Sequence, residues 1–281
     1  MTPSRKYLYA VMCAAFAVMM GAISMHILGI NPMREAAHFL GIAAGALIGL
    51  FFLRIKLTNK VRKMVQMAVI LLLVLSLPSP GVDGVHRWID TGMLHWNVAA
   101  LMLPILLALW VLPLKYQLLQ IWTALAIMAI LVVQPDASQA SAFGAAILAL
   151  RFTHWRGQSK FIILAIILFI IAAWMRHDPL KPVLEVEEIL FRTWDILPIL
   201  AVMGWISLAV TAMCPLYFIA QENRKNAAPL AIYFAIIALM PIFGAYPFPL
   251  IGYGFSFPIG FCVAMAILIN QDNASKDALT E

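Results

Sequence analysis

Charge is what this chain has least of. Asp, Glu, Lys and Arg make up 11% of its 281 residues, and 64% are hydrophobic. A soluble domain carries about 25% charged residues. The shortfall excludes an ordinary water-soluble globule and makes lipid the solvent for most of the chain. Cysteine is scarce too. Cys13, Cys214 and Cys262 stand in three separate apolar segments, with no CxxC pair and no nearby histidine. Neither a disulfide framework nor a structural zinc is expected, and the three read as small buried hydrophobes. Strict apolar–polar alternation is also missing, which argues against a membrane β-barrel. Runs such as 161–174 are continuously apolar instead, and helices are the other way to satisfy a backbone in lipid.

What remains is a series of apolar segments near membrane length, about 20 residues each. Ten are expected, over about 7–28, 36–53, 64–78, 93–112, 116–133, 138–151, 160–175, 194–218, 228–244 and 257–270. The first is too long for a signal-peptide core and has no A-x-A site after it, so it reads as a retained span. The fold class is therefore all-α, a polytopic bundle of about ten transmembrane helices. Residues 1–270 form one membrane domain and 271–281 a short polar tail.

An even number of spans puts both termini on one side. With that topology, 14 of the 19 basic residues fall on the terminal side, among them Lys56, Lys60, Arg62, Lys63, Lys115, Arg151, Arg156, Arg224 and Lys276. Nine of the 13 acidic residues fall opposite. The positive-inside rule then makes the termini cytoplasmic. The net charge of +6 reflects this sidedness and gives no reason to expect a nucleic-acid partner. The basic loop from Arg54 to Lys63 suits anionic inner-leaflet lipid.

Four polar clusters fall on the outer side: Gly81 to Asp90 (GVDGVHRWID), Gln134-Pro135-Asp136, Arg176 to Asp195, and Pro247 to Ser256 (PFPLIGYGFS). Each has a plain reading. Arg87 and Trp88 suit an interfacial anchor, Asp136 suits a helix N-cap, and Glu185, Glu187 and Glu188 suit a solvated charge run. The last segment is the exception, because prolines and glycines near membrane depth need protein or a watery cavity around them. Together the clusters suit an outward cleft with an arginine for a diphosphate and a carboxylate for general-base work.

Three of these segments resemble the SEDS family (shape, elongation, division and sporulation) of ten-span membrane glycosyltransferases. Gly81, Gly84, Arg87, Trp88 and Ile89 resemble its GxxGxxRWI segment. Gln134, Pro135 and Asp136 resemble its QPD or EPD motif. Pro247, Pro249, Ile251, Tyr253, Gly254 and Ser256 resemble its PLPFISYGGSS segment. The resemblance implies a bacterial inner-membrane protein with its active face outward. It implies a polyprenyl-diphosphate-linked disaccharide-peptide (lipid II) as substrate, and a class B penicillin-binding protein as partner. The family's outer-loop aspartate aligns with Glu188, with Glu187 beside it; the FQPSE continuation after RWI and much of the outer loop are missing.

On this resemblance Glu188 or Glu187 is the base, and Arg87 holds the diphosphate. Trp88, Gln134, Tyr253 and Ser256 line the site, with Asp83 and Asp136 shaping it or holding a divalent cation. No other cofactor is expected. The alternatives are a non-catalytic scaffold that binds a membrane enzyme or lipid-linked precursor, and a lipid or small-solute transporter. Transport usually marks itself with charges in mid-span, and here only His26 and His38 come near.

Overall fold

The computed structural model describes residues 1–55, 57–92, 94–110, 117–154 and 160–280, with backbone alone over 151–154 and 275–280. Lys56, Lys115, Arg156 and Glu281 lie outside it, as do the side chains of Arg151, Lys276 and Asp277.

The described chain is a bundle of helices: α1 (Pro3–Ile27), α2 (Pro32–Phe52), α3 (Asn59–Ser76), α4 (Val98–Leu109), α5 (Gln117–Val133), α6 (Ala137–His154), α7 (Lys160–Met175), α8 (Ile189–Ile196), α9 (Pro198–Phe218), α10 (Arg224–Leu239) and α11 (Ser256–Thr280). The polar residues between apolar runs set the starts. Thr2, Asn31, Thr58 and Asn97 cap α1, α2, α3 and α4 by accepting a backbone N–H of the first turn, which satisfies a donor the helix cannot. Proline at the first turn of α1, α2 and α9 fixes the entry angle without losing a bond.

Every apolar segment expected from the sequence coincides with a helix, with three differences. The 194–218 segment is broken at Leu197 into α8 and α9, where φ −142° and ψ 82° are not helical. The 93–112 segment begins in a hairpin: β1 (Trp88–Asp90) pairs antiparallel with β2 (His95–Asn97) before α4 starts. The last helix also continues through 271–280, beyond the apolar run.

Four helices are long and apolar enough to cross a membrane: Pro3–Ile27, Pro32–Phe52, Pro198–Phe218 and Gln221–Ile242. Four shorter ones are also apolar: Val98–Leu109, Gln117–Val133, Ala137–Leu150 and Lys160–Met175. Large apolar side chains also cover the outside. Phe161, Leu164, Leu168 and Ile171 on α7 stand exposed, as do Leu47 and Phe51 on α2. A surface of this kind suits lipid.

At the centre runs α11, buried on all sides from Phe261 to Ile269 and packed against α1, α2 and α4. Glycines let α2 come close. Gly41, Gly45 and Gly49 recur every four residues, and a Cβ at Gly45 would stand 2.9 Å from both Ile259 Cα and Pro258 O. This is the small-xxx-small contact of membrane helices. At the end that carries the termini, Lys6 Nζ donates to Asp272 Oδ2 at 2.7 Å, and Asp272 Oδ1 accepts from Ala220 N and Asn223 Nδ2. One carboxylate thereby fastens α1, α11 and the α9–α10 connection together.

Candidate functional site

Four loops meet at the opposite end of the bundle. The first contains Val82–Val85, whose backbones exchange hydrogen bonds at 3.0 and 2.8 Å. Asp83 and Gly84 sit at φ 49° and 78°, as the two central residues of a type I′ turn do. The turn leads through Arg87 into the hairpin. Asn97 closes the hairpin and starts α4: its side chain accepts from Ala100 N at 2.9 Å, and its own N–H donates to Ser256 Oγ at 3.0 Å. Ser256 thus ties the hairpin to the start of α11.

Arg87 is 4% exposed and joins three loops. Its Nε donates to Gln134 O at 3.0 Å and its Nη2 to Pro135 O and, at 2.6 Å, to Asp178 Oδ2. Asp136 Oδ2 lies 3.6 Å from Nε. Burial disfavours the guanidinium charge, but Asp136 and Asp178 outweigh it, so its pKa lies above the ordinary arginine value. Asp136 also caps α6, with Oδ1 accepting from Gln139 N at 3.1 Å and from Ser138 Oγ at 2.8 Å. Gln134 points away, donating from Nε2 to Ser76 Oγ at 2.7 Å.

The third and fourth loops zip together. Phe248 N donates to Val186 O at 3.1 Å and Tyr253 N to Glu185 O at 2.8 Å. Arg34 pairs with Glu185 and lies 5.9 Å over the Tyr253 ring. The 183–187 turn folds back so that Val183 N donates to Glu187 Oε2 at 2.8 Å.

Between these loops is a cavity of about 480 Å³. Asp83, Arg87, Trp88, Asp136, Glu187, Tyr253 and Ser256 all line it, so seven of the nine site residues expected from the sequence converge. Gln134 contributes only its carbonyl, to Arg87. Glu188 faces elsewhere: its Oε2 accepts from Arg192 Nε at 2.9 Å beside a separate groove with Phe191, Trp194 and Asp195. Glu187 is the carboxylate in the cavity. Burial pushes its pKa up to about 7, against the opposing pull of the Val183 N–H and Arg87.

Sequence reasoning missed Asp178, Lys181, His95 and Gln139. Lys181, His95 and Gln139 line the cavity, and Asp178 holds Arg87 from outside it. Gln139 is fixed by Tyr233, whose hydroxyl donates to Gln139 Oε1 at 2.6 Å. The spacing of Gln139 three residues after Asp136, on one helix face, was the available signal.

A divalent cation between Asp83 and Asp136 does not fit. Both Asp136 oxygens are committed, one to capping α6 and one to Arg87. Among the described residues no group of three or more His, Cys, Asp or Glu gathers as metal ligands would.

Fold and site together define an all-α bundle of membrane type with a polar, loop-built cavity at the end away from its termini. By sequence, the chain matches no family model and no curated protein. By fold, it is similar to the crystal structure of the rod shape determining protein RodA of Thermus thermophilus, with a TM-score of 0.67 and 14% identity over 94% of this chain and 95% of that one. An aspartate-to-alanine variant of the same Thermus thermophilus protein gives a TM-score of 0.69 and 14% identity over 94% and 96%. At that identity the likeness establishes the fold.

Proposed function

We propose that the protein is a SEDS-type glycosyltransferase of the bacterial inner membrane, with ten spans, cytoplasmic termini and the cavity facing outward. Its substrate is a polyprenyl-diphosphate-linked disaccharide-peptide, lipid II or a close relative. Its partner is a class B penicillin-binding protein. The observation that carries the reading is Glu187. It is a carboxylate whose pKa of about 7 suits a general base, set in a cavity with Arg87, Asp136 and Tyr253, in a fold shared with RodA.

In this reading Glu187 takes the proton from the acceptor sugar hydroxyl as that oxygen attacks the anomeric carbon of the donor. The bond to the diphosphate breaks, and polyprenyl diphosphate leaves with its electron pair. Lys181, on the cavity wall, meets the diphosphate. Arg87 contributes positive potential from behind, since Nε and Nη2 are occupied by protein oxygens. Trp88 and Tyr253 offer ring faces to the sugars, and Asp83 and Ser256 offer hydrogen bonds.

The test is polymerisation of lipid II by the purified full-length protein. Glu187→Ala is expected to abolish product, and Glu188→Ala to retain most of it. Full activity of the Glu187→Ala variant sinks the assignment. The commitment of Arg87 to protein oxygens favours a second reading, a non-catalytic scaffold. That reading predicts that Glu187→Gln supports normal cell shape while the protein still co-purifies with its penicillin-binding partner.

A further inference from the structure

We propose that Asp178 is a positioning residue for Glu187, acting through Arg87 and a proline-stiffened strip of chain. The inference rests on the reading of Glu187 as the base.

The loop between α7 and α8 is held at two places. Near Glu185 and Val186 it is bonded to the 248–253 segment. At its other end Asp178 Oδ2 sits 2.6 Å from Arg87 Nη2, and Arg87 is anchored to the carbonyls of Gln134 and Pro135. Asp178 Oδ1 accepts from Leu180 N at 3.2 Å, so both carboxylate oxygens are used. Residues 177–183 form neither helix nor strand, and Pro179 and Pro182 have no N–H to give. The side chain of Asp178 takes the place of the backbone anchors that this strip lacks.

Proline fixes φ, and Leu180 and Lys181 are the two residues between the rings. A displacement at Asp178 is therefore carried along the strip rather than absorbed. The strip ends at Val183, and the N–H of Val183 is the donor that holds Glu187 Oε2 at 2.8 Å. Asp178 sets the strip, the strip sets Val183, and Val183 sets the carboxylate. A misplacement of about 1 Å costs roughly a hundredfold in rate.

The same pair shapes the field at Glu187, where Arg87 favours the ionised form and Asp178 opposes it. Asp83, Asp136, Lys181 and His95 line the same cavity and are unchanged by a substitution at Asp178. Loss of the Asp178 charge therefore leaves Arg87 to act with less opposition, and it loosens the turn that shelters Glu187. The lost Asp178 charge lowers the pH at which Glu187 ionises, and any weakening of the Val183 N–H bond works the other way, so the fall measures the charge and the loss of rate measures the positioning.

The experiment uses full-length protein in lipid nanodiscs. Asp178→Asn is expected to lower kcat for lipid II polymerisation by about 100-fold with KM changed by less than about threefold. The pH of half-maximal rate should fall from about 7 toward the ordinary carboxylate range, and Asp178→Glu should recover part of both. A second readout needs no activity. In thermal unfolding, the pH at which wild type and Glu187→Gln diverge should fall in the Asp178→Asn background. Wild-type rate and midpoint in Asp178→Asn overturn the proposal. So does an unstable Asp178→Asn whose midpoint stays near 7, which would make Asp178 a structural residue only. If the wild type makes no polymer, the functional reading fails, and the unfolding comparison still decides the role of Asp178.

Discussion

Glu187 keeps its proton up to about pH 7 because its turn is folded against Phe248 and Gly252 and faces a partly enclosed cavity. The unfolded chain would release that proton near the model-peptide value of about 4.3. Folding and protonation are therefore linked. The stabilising contribution of the protonated group is complete below the unfolded pKa and is lost as pH rises through the folded one. Glu187→Gln removes the titration while its amide oxygen can still accept from Val183 N. Relative to wild type, this variant should gain about 1–2 kcal/mol between pH 4 and pH 8, discounted for partial exposure. Denaturant unfolding at the two pH values checks it. Glu188, 30% exposed and paired with the half-exposed Arg192 one helical turn on, should cost at most about 0.5 kcal/mol when replaced by Gln. The sequence put Glu188 first, with Glu187 as its neighbour, whereas Glu187 is the one that lines the cavity. In an irregular turn, which of two neighbours points inward depends on Val183 and on the 248–253 segment that the turn meets. Asp178 was hidden for a related reason: its partner lies 91 residues away, and no local pattern announces an ion pair of that range.

Among the elements, the helices were legible because each apolar run is long and its polar cap stands before it, as at Thr2, Asn31, Thr58 and Asn97. The β1–β2 hairpin was not. Its strands have three residues each, too few for a period of two to show, and Leu94 reads as the start of the following apolar run. Asn97 does double service there, ending the hairpin and capping α4. Asn97→Ala should lower stability by about 1 kcal/mol, measurable by the shift in a chemical denaturation midpoint. The contact between the two zipped loops is more sensitive. A Cβ at Gly252 would meet Val186 O at 2.6 Å and Phe248 O at 2.9 Å, and both are backbone atoms with no rotamer to change. Gly252→Ala should push the 183–187 turn off its support. The expected result is a loss of about 1–3 kcal/mol and of polymerising activity. Unchanged activity in Gly252→Ala would show that the zipped loops are not needed to hold Glu187.

For the whole molecule, the charge asymmetry predicts sidedness, and sidedness can be read in intact cells. Lys181→Cys, on the cavity wall, should react with a membrane-impermeant maleimide added from outside. Lys60→Cys, exposed at the start of α3, should react only after the membrane is opened. The reverse pattern would invert the topology. Cys214 and Cys262 are buried and Cys13 lies midway along α1, so the native thiols give little background. The three motifs were legible because their residue types are rare in so apolar a chain. Their meeting in one cavity, by contrast, depends on how α4, α6 and α11 pack.

The glycine seam between α2 and α11 has a mechanical consequence. Where backbone rests on backbone, as at Gly45 against Pro258 and Ile259, there are no side chains to repack, and the two helices move as one body. A Cβ at Gly21 would likewise run into Ile251 O, which sets α1 against the same unit. The wall formed by residues 247–258 thus rests on close backbone contacts with α1 and α2. The facing wall is a strip pinned by one ion pair at one end and by two backbone hydrogen bonds at the other. If a bound ligand displaces either wall, it is that strip that yields.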